Sequence, residues 1–529
     1  MAATTNGASV SLWLDTAHLP ACPPLPGDLD ADVCVIGAGI AGLTTAYLAA
    51  REGRSVVVID ALGIGAGETG RTTAHLFPPD EWYAAIEDRF GEHNARLVAD
   101  SHARAIALVE AIVAEEGIDC GFERLDGYLY TLSGNGAHDL GRERACAARA
   151  GVTVESMPGV PGLPFDTGPA LRFANQAQFH PLRYLAGLAA AIERRGGRIF
   201  GATHAHRVRG NARQQTVSTD RGEIYARAVV LATHTPFNDR VVMHTKQAGY
   251  RSYVVGLEVP RGALPRILLW DTGDPYYYLR LESPQGLGHD ILVVGGADHK
   301  TGHDDHPEHR YDEIERWARE HFPQAGALAW RWSGEIMEPL DGLPYLGRNP
   351  MDDDNVYLIT GDSGNGMTYA TVGAMLVNDL VAGRDNPWKE LYDPARKPVH
   401  GLFDFASEQA RTVARYGEWL TGGDVDSVQQ IAAGEGAVVR DGLRKIAVYR
   451  DAQGGLHAVS AKCTHLGCAV HWNSAERSWD CPCHASRFDI EGNVLHGPAP
   501  EALEKVELQE DGAPPPRTPR AGMRGRNVR

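Results

Sequence analysis

The alternation of apolar and polar positions divides the chain into two regions of different texture. ADVCVIG is a short apolar strand that runs into Gly37-Ala-Gly39-Ile-Ala-Gly42. LTTAYLAAREG then has helical spacing with Gly53 as its stop signal, and SVVVID is a second strand closed by Asp60. Further on, GRIFGATHAHRV and YARAVVLATHTPF repeat the strand-rich pattern of a domain returning to its first sheet. NVYLITGDSGNGMTYATVGAMLVNDLV predicts a strand, a glycine-rich turn (Gly361, Gly364, Gly366) and an apolar helix. Near Gly422-Gly423 the texture changes. ASEQARTVARYGEWLTGG ahead of it reads as a polar helical connector over 396–423. Behind it GAVVRDG, LRKIAVYRD and LHAVSAK are short alternating strands between turn signals, which predicts a small antiparallel β domain over 424–512.

At 529 residues the chain is too long for one core, and roughly two to four domains are expected. The formal net charge of −17 argues against a nucleic-acid partner, which would need a basic face. The tail APPPRTPRAGMRGRNVR is basic and reads over 513–529 as a disordered end. No segment approaches the roughly 20 apolar residues of a membrane helix, and the N-terminus lacks the features of a secretory signal. These features predict a cytoplasmic protein with no membrane partner. Cys22, Cys34, Cys120 and Cys146 are scattered, as buried or free thiols would be.

The strand–glycine–helix–strand unit is a phosphate cradle. Gly37 permits the tight turn, Gly39 lets backbone approach a pyrophosphate, and Gly42 lets helix and strand pack closely. The helix start at Ile40 and Ala41 points free N–H groups at the phosphates. Asp60 can accept bonds from ribose hydroxyls, favouring FAD or NAD over NADP. A second match, Gly65-Ala-Gly67-Glu-Thr-Gly70, has no helix long enough to complete another unit. It reads either as a flexible loop or as a loop lying along the same cofactor. Thr69, Thr72 and Thr73 suit the second reading. Only one complete dinucleotide unit is visible, which argues against a pyridine-nucleotide donor.

With WSGEIMEPLDGLPYLGR ahead of the late glycine turn and QFHPLRYLAGLA in mid-chain, this layout resembles the D-amino-acid-oxidase-like flavoproteins, the glycine and sarcosine oxidase group, from about Asp30 to Gly383. The resemblance implies FAD bound by an α/β Rossmann-like domain with an interleaved α+β substrate domain, over 30–395 behind an N-terminal extension, 1–29. It assigns Gly361, Gly364, Asn365, Gly366 and Met367 to the isoalloxazine side, against the alternative of a turn serving only chain reversal. Arg71 and Ala205 complete the expected cofactor set. The family's carboxylate-clamping arginine would fall at Ile336, a departure that counts against a carboxylate substrate. Tyr277 and Arg280 are the weak candidates for substrate contact, against an ordinary aromatic strand with a solvated arginine. HKTGHDDHPEHR reads as a polar surface loop rather than a metal site.

CTHLGCAVHWNSAERSWDCPCHASRF holds four cysteines and three histidines. Zinc is one reading of such a cluster. The ligands fall instead as Cys463-x-His465 and Cys481-x-x-His484, one thiolate and one imidazole per loop, which suits a 2Fe–2S cluster with one iron on two cysteines and the other on two histidines. CTHLGC followed by CPCHAS closely resembles the Rieske proteins. That resemblance implies a disulfide between Cys468 and Cys483, a covering loop at Gly497-Pro-Ala-Pro500, and a bystander role for His471. Ser486 matches the family's serine donor to a bridging sulfide, while Phe488 stands where the family carries a tyrosine.

A flavin carries two electrons and a Rieske cluster one. The combination predicts an FAD-dependent dehydrogenase that oxidises a small substrate at an amine or amino-acid-like C–N bond. Electrons then pass singly through the cluster to an external acceptor, which could be a protein. The alternative is an electron-transfer component with no organic substrate of its own. A redox sensor has support only in the paired cysteines.

Overall fold

The last four residues of the strand Leu29–Ile36 are buried, and Val56–Ile59 is buried throughout. Strands with no polar face belong inside a parallel sheet covered on both sides. The two pair in parallel, Val33 beside Val56 and Ile36 beside Ile59, and the helix Ile40–Arg51 makes the crossover. In the computed structural model, which describes residues 5–79, 82–131, 140–238, 243–350, 352, 355–397, 418–419, 421–442 and 444–508, this unit seeds an eight-stranded sheet. Glu223–Leu231 lies in parallel against Leu29–Ile36, and Val356–Thr360 lies in parallel against Glu223–Leu231. The late glycine turn therefore emerges at the same sheet end as the first cradle.

A second sheet has nine strands, the longest being Gln247–Pro260, His289–Lys300 and Leu328–Pro339. The helix His309–His321 covers one face of it with Tyr311, Ile314, Trp317 and Ala318, a spacing that keeps them on one side. The opposite face roofs the carboxyl ends of the parallel strands, where open α/β sheets bind ligands. The last region is all β, as expected. Gly436–Asp441, Arg444–Arg450 and Leu456–Ser460 form one sheet, and His471–Asn473, Ser478–Asp480, Arg487–Phe488 and Val494–His496 another. Its core includes Tyr449, Trp479 and Phe488, all fully or nearly fully buried. Most of the expected connector (398–417 and 420) and the whole tail lie outside the described residues. Among the described residues no helix is long and apolar enough to cross a membrane.

Candidate active site and cluster site

Gly37 leaves the first strand with φ 110°, and a Cβ there would stand 2.2 Å from the Ala232 carbonyl oxygen. At Gly42 a Cβ would stand 1.9 Å from the Gly37 carbonyl oxygen. Neither position admits a side chain, so helix and strand meet backbone to backbone. Gly39 caps the helix with no side chain of its own, so the helix start at Ile40 and Ala41 lines open space that an anion can approach. Both Asp60 carboxylate oxygens are occupied, accepting N–H bonds from Ala38, Leu62 and Gly63 at 2.8 Å each. Burial still outweighs those donors and pushes its pKa up.

These groups open into a cavity of about 550 Å³ between the two large sheets. Of the expected cofactor contacts, Gly37, Gly39, Ile40, Ala41, Asp60, Thr69, Arg71, Thr72, Thr73, Ala205, Gly364, Gly366 and Met367 line it. The second glycine loop follows the cavity wall through Gly67 to Thr69, and the Thr69 hydroxyl accepts the Ile40 N–H at 3.1 Å. Gly361 and Asn365 are set back from the lining. Gly361 faces Gln247 and Tyr345, and Asn365 donates to the carbonyls of Phe77 and Pro78, fastening the late turn to the cavity loop. A cradle that excludes side chains, a helix start that lines the cavity and a half-buried carboxylate fit the pyrophosphate and ribose of FAD.

The two weak substrate candidates do not line the cavity. Side chains alternate along a strand, and it is Tyr276 and Tyr278 that face the cavity. Tyr277 stacks on Trp317 at 4.5 Å on the other side. Arg280 is 1% exposed and donates to the carbonyls of Thr73, Ala74 and Phe179. It pairs with Glu282 and lies over the Trp13 ring, which makes it a buried strut for the cavity loop rather than a solvated or substrate-facing arginine. Phe77, Trp82, Trp270, Tyr276, Tyr278 and Ile336 give one side of the cavity an apolar and aromatic lining. Among the described lining residues Arg71 is the only arginine or lysine, and its guanidinium is engaged elsewhere.

In the all-β region Cys468 and Cys483 are joined as a disulfide with Cα atoms 6.5 Å apart. That leaves Cys463 and Cys481 as the free thiols of the two loops, each 2% exposed. Three of the sulfurs, those of Cys468, Cys481 and Cys483, lie within 4.8 Å of one another, but a disulfide sulfur has no thiolate to offer a metal. The His465 and His484 rings are 4.8 Å apart, and the buried Nδ1 of His484 has no hydrogen-bond partner, as suits an imidazole aimed at iron. The Ser486 hydroxyl accepts the Ala499 N–H at 3.0 Å and ties the covering loop to the ligand loop. His471 bonds instead to Glu418 at 3.0 Å, away from this set. Two buried thiols and two imidazoles, His484 buried and His465 half-buried, stand in adjacent loops and fit a 2Fe–2S cluster.

The two regions are locked together, which no motif announced. Glu476, on the hairpin between the cluster loops, inserts into the flavin region. Its carboxylate takes Arg71 Nη1 at 3.3 Å and the hydroxyls of Ser9 and Ser333 at 2.5 Å, with Arg251 Nη2 at 3.8 Å. The Arg71, Arg251 and Glu476 side chains are fully buried. Arg71 Nε also donates to Asn6, whose carbonyl accepts from Arg487, so the N-terminal segment is a strap between the two regions. The histidine-rich loop, expected on the surface, partly enters this seam: His303 contacts the Pro482 carbonyl at 3.2 Å. Val494 to Gly497 and Ala499 of the small region line the flavin cavity itself. There His496 Nδ1 lies 3.5 Å from Glu335, and its ring is 5.0 Å from that of His234.

Comparison with known proteins identifies both regions. Residues 32–380 match the model of the FAD dependent oxidoreductase family, and residues 422–507 that of the Rieske 2Fe-2S domain. The chain belongs to the FAD-dependent oxidoreductases. It is 33% identical over 508 residues to the Rieske 2Fe-2S iron-sulfur protein YhfW of Bacillus subtilis (strain 168), covering 95% of this chain and 98% of that one. It is 25% identical to gamma-glutamylputrescine oxidoreductase of Escherichia coli (strain K12), over 66% of this chain and 84% of the relative. Glycine oxidase from Geobacillus kaustophilus has the same fold over 70% of this chain and 99% of its own, with a TM-score of 0.60 at 20% identity. This FAD-dependent oxidoreductase thus carries FAD in its large domain and a 2Fe–2S cluster in its Rieske domain. Phe488, fully buried, brings no hydroxyl to the cluster. A tyrosine donor would stabilise the reduced, more negative cluster, so Phe488→Tyr is expected to raise the midpoint potential in potentiometry. An unchanged or lower midpoint contradicts that.

Proposed function

We propose that this oxidoreductase removes hydrogen from a small amine at FAD and sends the electrons singly, by way of the Rieske domain, to an external acceptor. The shared cavity wall is the main support: Val494, Leu495, His496, Gly497 and Ala499 face the same space as the glycine cradle. A cluster domain fastened there by a buried ion network fits an electron outlet better than a detached sensor. When bound, FAD supplies a two-electron acceptor and the cluster a one-electron carrier.

The chain's own residues supply binding and orientation. The Gly37–Gly42 cradle and the helix start hold the pyrophosphate, and Asp60 stands at the ribose end. Trp270, Tyr276 and Tyr278 exclude water and offer ring faces to an alkyl body or a cationic nitrogen. Ile336 offers no charge to a carboxylate, and Arg71 is committed to Glu476. Both features favour an amine over an amino acid.

The reading is tested by anaerobic screening of simple amines and amino acids for bleaching of the flavin band. An amine is expected to bleach it, with the electron paramagnetic resonance (EPR) signal of a reduced Rieske cluster following. If only a reduced ferredoxin or similar protein bleaches the flavin, the substrate reading fails.

A further inference from the structure

Thr235 lines the flavin cavity, and its Oγ1 lies 3.3 Å from His244 Nδ1. His244 is 4% exposed. Its ring stands edge-on to His465, centroids 4.9 Å apart at 81°, and 6.4 Å from His484 at 68°. One flavin-domain imidazole therefore stands against both imidazoles that would ligate the cluster, and its other side reaches the cavity wall. The other seam contacts do different work. Glu476 is an ionic lock fully out of water, and His234 meets His496, whose strand carries no cluster ligand.

We propose that His244 positions the cluster for electron transfer, with Thr235, His244 and His465 forming the contact path between the flavin cavity and the Rieske domain. The inference rests on the flavin-to-cluster reading above. In each passage one electron leaves the reduced flavin and one ferric iron becomes ferrous. Two passages return FADH2 to FAD with two protons released to water, and an external one-electron acceptor reoxidises the cluster between them. An edge-on ring packed between ligand and cavity wall holds that separation fixed. A side chain that leaves a gap there lengthens the jump and alters the surroundings of a ligand imidazole.

The test uses the full chain loaded with FAD and cluster, reduced anaerobically by a light pulse with 5-deazaflavin. Flavin and cluster absorbance are followed as the electron redistributes. His244→Ala is expected to slow redistribution by about tenfold or more, a barrier rise of about 1.4 kcal/mol, and to shift the g values of the reduced cluster at unchanged cofactor content. A fold-only role would leave the g values in place. If His244→Ala loses its cluster, Thr235→Val is used, which keeps the ring and removes its bond to the cavity wall; slower redistribution is again expected. Redistribution at the wild-type rate in the loaded variant overturns the proposal, as does an unaltered EPR spectrum of His244→Ala. Absence of redistribution in the wild type would instead overturn the flavin-to-cluster reading itself.

Discussion

Glu476→Ala is expected to destabilise the docked protein by about 3–5 kcal/mol, because it strands two buried arginines without their counter-charge. Arg71 and Arg251 lie at 3.3 and 3.8 Å from the carboxylate, with all three side chains at zero exposure. Thermal unfolding would register the loss as a lower first transition, and limited proteolysis as early cutting at the seam. A variant that melts with the wild type contradicts the lock. The same carboxylate makes docking acid-labile. Burial works against its charge, but Arg71, Arg251 and Arg487 together outweigh burial and hold its pKa down from 4.5 to about 2. A depressed carboxylate contributes fully above its ordinary value and loses that contribution as pH falls toward its folded value. Docking therefore weakens between pH 4.5 and about 2 and is insensitive to this group above that window.

Gly42→Ala is expected to abolish FAD binding. Its methyl group would stand 1.9 Å from the Gly37 carbonyl oxygen, a backbone atom that cannot rotate away. The helix must then lift from the strand, and overpacking of this kind costs typically 1–3 kcal/mol or more. The cradle would lose its shape with it. The purified variant should be colourless at the flavin band and fail to take up added FAD, while its cluster absorbance persists. Retention of stoichiometric FAD would contradict the close packing that the cradle requires.

The cradle and the cluster loops were legible in the sequence because their chemistry forces residue types into fixed local spacing. Gly37 and Gly42 are needed by backbone contact, and paired cysteines and histidines must reach shared irons from two short loops. The seam left no such trace. Glu476, Arg251, Ser9 and Ser333 converge from parts of the chain up to 467 residues apart, each as an unremarkable polar residue in its own segment. His244 and His496 were equally silent. The tyrosine triplet shows a different limit: alternation predicts that neighbours face opposite ways, but not which one faces the cavity. Arg280 looked solvated because three of its partners are the backbone carbonyls of Thr73, Ala74 and Phe179, which no sequence pattern records. The N-terminal extension gave no sign of being a strap, since its contacts at Asn6 and Ser9 depend wholly on tertiary placement.

Electrons entering at FAD are expected to leave through the Rieske domain of the same chain. Rapid-freeze EPR after anaerobic mixing with the bleaching amine tests this most directly. The reduced Rieske signal is predicted to grow as the reduced flavin band decays, at a rate independent of protein concentration. A flavin that stays reduced beside an oxidised cluster until dioxygen is admitted would contradict it.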